Sequence, residues 1–168
     1  MIVTVVYQLS NVPSGRAGVR STLRAMSKLV RAYKAAPLVR ETALSIVKNI
    51  PSKNWPAEIA AIHRYVCDTI RYTKDIRGVE TLQSPVQTLR LKQGDCDDHS
   101  ILIASLLEAI SHPTRFVAIG SVPDSYSHVF TETKVGPNWL AVETTMAGWP
   151  CGRRPKPGKG NKPMVEHN

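Results

Sequence analysis

The chain has 168 residues and a mass of 18.5 kDa, enough for one domain that buries roughly two thirds of its unfolded surface and needs no disulfide framework. Hydrophobic residues at 42% and charged residues at 21% exclude a disordered or fibrous chain. The net charge of +9 sits at the ends, with +7 in residues 1–40, −2 in 41–150 and +4 in 151–168, so positive charge does not gather around a central cleft as nucleic-acid enzymes usually require.

Met1 to Tyr7 has no basic lead and no small-residue cleavage site, which predicts a β-strand rather than a secretion signal. Arg16 to Lys34 predicts an amphipathic helix. At about 100° per residue, Arg16, Arg20, Arg24, Lys28, Arg31 and Lys34 share one arc, and Val19, Leu23, Met26, Leu29, Val30 and Tyr33 share another. The basic arc reads either as a solvated face or as a docking face for an acidic partner surface, whether protein, membrane or nucleic acid. Pro37 ends this helix or occupies the first turn of the next, since its missing N–H is tolerated only there. That second helix covers about 39–48, and residues 49–54 form a loop by their turn residues. A third helix covers about 56–72, with Ile59, Ile62, Val66 and Ile70 on one stripe and Cys67 beside it as a small buried residue.

Residues 73–93, with Gly78, Pro85 and few periodic apolar positions, read as irregular. The strongest helix follows, led by Gly94-Asp95-Cys96-Asp97-Asp98-His99, running through residue 110 and ended by His112-Pro113. Strands are predicted at 114–122, 126–135 and 138–145, with Gly136-Pro137 as the hairpin turn between the last two. From Gly148 onward, glycine, proline and basic residues leave no periodicity, which predicts a tail disordered unless a partner holds it. No apolar run approaches the length of a membrane span.

Cys67, Cys96 and Cys151 are odd in number and too far apart for a CxxC clip, which points to reduced thiols or to one thiol kept free for chemistry. Cys96 is the candidate. On its helix it falls within an arc of about 160° shared with His99, Ser100, Leu102, Ile103, Leu106, Leu107 and Ile110, while Asp97, Asp98 and Glu108 fall outside. A helix start offers partial positive charge and unpaired N–H groups, which favour thiolate over thiol and can receive a developing oxyanion. His128 is the proton partner: strand alternation puts it with Phe130 on one face, and Val129 with Thr131 on the other. A hairpin around Gly136-Pro137 sets His128 opposite about Glu143 to Thr145, with Glu143 in reach of the imidazole. Nucleophile, base and orienting carboxylate then form a Cys–His–acid triad.

Asp97 and Asp98 are expected to stabilise the first turn of the helix, with Asp98 also holding a neighbouring loop, and His99 to be a packed or supporting residue. Cys96 and His99 with Asp95 and Asp98 lack a second Cys/His pair at zinc-ligand spacing, so no metal and no cofactor is expected. His63 and His112 read as structural or exposed and His167 as part of the tail; Trp139 and Trp149 read as packing residues or walls of the cleft.

Three blocks, Gly94 to Ser100, Ser127 to Phe130 and Trp139 to Thr145, in that order and spacing, resemble the transglutaminase-like superfamily over about Trp55 to Met146, including the Tyr72 and Asp75 region. The resemblance implies a catalytic Cys96, His128 and Glu143, the last standing where the family usually has Asp. Within the superfamily the chain is most similar to small proteins encoded among tailed-phage structural genes. The expected fold class is α+β, a papain/transglutaminase-like core whose cysteine-bearing helix packs on an antiparallel sheet, with extra N-terminal helices. The expected organisation is an N-terminal strand with basic helices over 1–54, the core over 55–147 and a basic tail over 148–168.

The expected activity is that of a cysteine-dependent amide-bond enzyme. Cys96 attacks a carboxamide or peptide carbonyl, with Gln87 or Gln93 as candidates for the second oxyanion donor. The thioester is resolved by water or by an amine. The rival is a virion or tail structural module, weakly active or inactive, docking through Arg16, Arg20, Arg24, Lys28, Arg31 and the C-terminal tail. A nucleic-acid binder is suggested by the pI of 9.7, and the near-neutral middle argues against it. Expected partners are a peptide or protein substrate and phage structural proteins, in the host cytoplasm or the virion.

Overall fold

Helix starts follow the local chemistry of the chain. In the computed structural model, which describes residues 6–9, 12–74 and 81–168, Pro37 opens α2 (Pro37–Val47), directly after α1 (Gly15–Tyr33). Asn54 caps α3 (Trp55–Thr69) by accepting the Ala57 N–H at 3.3 Å. Ser84 caps α4 (Pro85–Leu91) by accepting the Gln87 N–H at 3.2 Å, and Asp95 caps α5 (Cys96–Ala109). Between these lie the short strands β1 (Val6–Gln8), β2 (Arg71–Tyr72), β3 (Thr81–Gln83) and β4 (Gln93–Gly94). β1 pairs antiparallel with β3, and β2 pairs parallel with β4. Part of the predicted N-terminal strand, Met1 to Val5, lies outside the described residues, as do Asp75 and Gly78.

The stretch 73–93 is therefore not irregular where it is described. It carries β3, α4 and the first residue of β4, and the third helix stops at Thr69 because Ile70 turns extended and Arg71 enters β2. The start signal for α4 was present as Ser84-Pro85, a cap followed by proline at the first helical position.

The main sheet has four antiparallel strands in the order β7 (Asn138–Ala141), β6 (His128–Val135), β5 (Thr114–Ile119) and β8 (Met164–His167). Val135 pairs with Asn138 across Gly136-Pro137, where Gly136 takes φ +57°, a left-handed conformation that suits glycine. At the other end of β5, Ile119 pairs with His128. β5 and β7 stop short of their expected ends, at Ile119 and Ala141.

α5 lies inside the protein. Leu102, Ile103, Leu106 and Leu107 pack with Val39 and Ala43 of α2 and Ile59, Ile62 and Val66 of α3. Ile101 and Ala104 pack on the opposite side with Leu23, Met26 and Val30 of α1 and with Phe116, Ala118, Val129 and Met164 of the sheet. Ser100 and Thr131 add hydroxyl bonds between α5 and β6. The arc of about 160° expected to pack is thus too narrow: a helix apolar nearly all round is buried on every side. Even Asp98, outside that arc, is only 1% exposed, because its carboxylate accepts the Gln83 and Asp95 N–H groups.

The C-terminal segment is an ordered part of the fold, not a disordered tail. The buried carboxylate of Glu132 on β6 pairs with Arg115, at 2.7 Å, and with Arg154. Arg154 also lies over the Phe130 ring. The chain then returns as β8 along β5. This order is invisible to periodicity because it rests on single polar contacts to distant residues. Trp139 lies beneath the Arg115 guanidinium, 4.2 Å from it, and edge-on to His167; Trp149 lies beneath Arg153. On the basic face of α1, Arg16 binds Asp124 and Tyr126, and Arg31 donates to the His167 carbonyl at 3.2 Å, while Arg20, Arg24 and Lys28 are exposed.

Candidate active site

Cys96 is the first residue of α5. Asp95 accepts the N–H groups of Asp97 and Asp98 at 3.0 and 3.1 Å, and Asp98 returns a bond to the Asp95 N–H, closing a capping box. Asp95 thus caps two first-turn donors and leaves the Cys96 N–H outside the box. The half-buried Cys96 lines a cleft of about 710 Å³ together with His128, Val129 and Tyr126. Residues Ser14 to Met26 of α1 and the turn before it form much of the facing wall.

His128 begins β6, and its Nε2 lies 2.5 Å from Glu143 Oε2. The ladder accounts for the approach. Val142 N–H donates to Thr131 O just past the end of β7, which carries Glu143 to the level of Phe130, two residues from His128 and on the same strand face. The other carboxylate oxygen accepts the Thr145 N–H and hydroxyl at 2.7 and 2.8 Å. Glu143 is 2% exposed. Burial alone pushes its carboxyl upward, but the bond and charge of His128, with the two Thr145 donors, hold it below its ordinary value near 4.5. A buried carboxylate bonded to imidazole Nε2 orients the ring and leaves Nδ1 as the nitrogen available for proton exchange.

The thiol behaves differently from the expectation at a helix start. Burial pushes Cys96 far above its ordinary value near 9, and the nearby carboxylates of Asp97 and Asp95 add to the rise. The thiol itself contacts Asp97 Oδ1 at 3.6 Å. A backbone hydrogen bond from Val129, the residue after His128, acts in the opposite direction and is outweighed. Desolvation and the two acids beside the sulfur outweigh the partial positive charge of the helix start.

His99 is buried against Thr144, with Nδ1 to Oγ1 at 3.1 Å, and its ring meets Tyr72 edge-on. Asp98 holds Gln83 of β3, the neighbouring segment. Gln87 is buried on α4 and Gln93 accepts from Arg71 at 2.8 Å; neither lines the cleft. Trp139 and Trp149 do not line it either. Behind Glu143, the buried His63 donates to the Glu143 carbonyl at 2.7 Å, and Cys67 sits 3.6 Å from the same ring, its thiol pushed up to about 11 chiefly by burial. Thr145, which grips Glu143, was overlooked in the Glu143-Thr144-Thr145 run, although a Thr two residues after an acid is a familiar local donor. Among the described residues no group of three His, Cys, Asp or Glu side chains is placed to hold a metal ion.

A family model described as the transglutaminase-like superfamily matches residues 40–144. The chain belongs to that superfamily. The match begins within α2 and ends at Thr144, next to Thr145. Solved structures share the fold. A candidate cysteine protease from Cytophaga hutchinsonii is 19% identical, covering 72% of this chain and 42% of that one, with a TM-score of 0.55. A candidate protease from Parabacteroides distasonis is 10% identical, covering 89% and 36%, with a TM-score of 0.58. Legionella pneumophila LapG is 18% identical, covering 77% and 76%, with a TM-score of 0.52. The chain spans less than half the length of the first two. No curated protein matches it in sequence. Among the described residues, no helix is long and apolar enough to cross a membrane.

Proposed function

We propose that this superfamily member is a cysteine-dependent amide-bond hydrolase or acyltransferase with Cys96 as nucleophile, His128 as base and acid, and Glu143 as the orienting carboxylate. The observation that carries the reading is the 2.5 Å bond between His128 and the buried Glu143, in a cleft that Cys96 also lines. The raised thiol favours attack coupled to proton transfer over a resting ion pair. The sulfur adds to the carbonyl carbon as His128 Nδ1 takes its proton, and the Cys96 N–H is suited to the oxyanion. His128 returns that proton to the leaving amine as the C–N bond breaks, leaving a thioester. Water or a second amine then attacks the thioester and frees the sulfur.

A peptide or protein substrate suits this chemistry, and hydrolysis is favoured because water is always available. A phage setting rests on the sequence resemblance alone. The acids beside a buried thiol also favour a second reading, a weakly active or inactive virion or tail module docking through exposed Arg20, Arg24 and Lys28. Acetyl transfer from p-nitrophenyl acetate to Cys96, followed by intact mass, separates the two. The enzyme forms an acetyl adduct lost in Cys96→Ala and slowed strongly in His128→Ala. Acetylation no faster than at an ordinary thiol supports the module.

A further inference from the structure

The structure assigns to Asn161, far away in the C-terminal segment, the role of a positioning residue for His128, an inference that rests on the catalytic reading above. β5 ends at Ile119 and β6 begins at His128, so the loop of residues 120–127 delivers the imidazole to the cleft. Most of this loop is exposed, with Val122 at 52%, so apolar packing does little to fix it.

The side chain of Asn161, 7% exposed, does that work instead. Its Oδ1 accepts the Gly120 N–H at 3.0 Å, and its Nδ2 donates to the carbonyls of Val122 at 2.8 Å and Ser125 at 2.9 Å. One primary amide thereby closes the loop on itself, using one acceptor and two donors that no other small side chain combines. The surrounding chain locks onto the same loop. The Gly158 N–H donates to Gly120 O at 2.8 Å, and the Tyr126 hydroxyl donates to Lys162 O at 2.8 Å. The approach is close: a Cβ on Gly158 would lie 1.9 Å from Ser121 O, and one on Gly120 would lie 1.7 Å from Ser125 O. Past the loop come His128 and then Val129, whose backbone contacts the Cys96 sulfur. A loop released at residues 120–125 shifts the imidazole against the thiol, and a displacement of about 1 Å costs on the order of 100-fold in rate.

The test is the rate of Cys96 acetylation by p-nitrophenyl acetate in Asn161→Ala, His128→Ala and the double variant, with circular dichroism verifying the fold. Asn161→Ala is expected to slow acetylation about 10- to 100-fold in the otherwise unchanged chain and to have no further effect once His128 is gone. Asn161→Asp keeps the acceptor for Gly120 but turns a carboxylate oxygen on the Val122 and Ser125 carbonyls, so it slows acetylation at least as much as Asn161→Ala; Asn161→Ser, whose one hydroxyl cannot span all three backbone groups, falls between and carries the same test in both backgrounds should Asn161→Ala not fold. Equal slowing in both backgrounds, or an unchanged rate in Asn161→Ala, overturns the assignment. His128→Ala without effect on its own overturns the catalytic reading, and this assignment with it.

Discussion

Replacing Glu143 by Gln separates the charge of the orienting group from its shape. Glu143 Oε1 accepts two bonds from Thr145, and Oε2 faces His128 Nε2. A glutamine that keeps its carbonyl toward Thr145 must present its NH₂ to the imidazole, which obliges Nε2 to accept and moves the ring proton to Nδ1. The nitrogen that must take the thiol proton is then already occupied. The same wrong-tautomer change in a serine-protease triad lowers turnover about 10⁴-fold, or ~5.4 kcal/mol, and a loss of that order is expected here. Fold stability should fall only by the charge contribution of the carboxylate, because the volume and the bonds from Thr145 are kept. Glu143→Ala instead strands the Thr145 and His128 donors in a site 2% exposed and should cost about 3–5 kcal/mol in urea unfolding. The assay is Cys96 acetylation followed by mass, beside unfolding of the same samples. Glu143→Gln acetylating within a factor of about three of the unchanged chain would refute the triad logic, because rate would then not depend on the tautomer.

Stability itself should depend on pH through this group. The folded carboxyl titrates below its ordinary value near 4.5, so its contribution is present above that value and is lost as pH falls through the folded value. Melting temperatures from pH 6 to 3 should fall less steeply in Glu143→Gln, and parallel curves would contradict this. For the free thiol, iodoacetamide alkylation of Cys96 should still be rising with pH at pH 9, and Asp97→Asn should move the rise downward; a plateau below pH 7 would count against it. Arg154→Ala leaves the buried Glu132 with Arg115 alone and should lower urea stability by about 1–3 kcal/mol, whereas a C-terminal segment loosely attached would give no change.

How much of this was legible in the chain depended on whether the cause was local. Asp95 and Asp98 around Cys96 carry their cap chemistry in sequence, and α5 starts where they put it. Gly136-Pro137 sets the hairpin, and period-2 counting from it brought Glu143 to His128. α4 was readable in Ser84-Pro85 but hidden by the aperiodic residues around it. The C-terminal segment was not readable. It holds through Arg154 to Glu132 and through Asn161 to a loop about forty residues earlier, and no window of sequence contains both partners. The raised thiol is hidden from sequence for a related reason: helix-end charge is local, whereas burial of α5 between two layers is a property of the whole fold.

That enclosure divides the labour of motion within the cleft. The sulfur is mounted on a rod gripped from both sides, so it is the stationary jaw. The imidazole is mounted at the root of a solvent-washed arch, so it is the travelling one. Any breathing that parts and rejoins the two is a movement of the strand start, and amide exchange should be faster at the exposed Ser121, Val122 and Asp124 than in the middle of α5, which exchanges only by global opening.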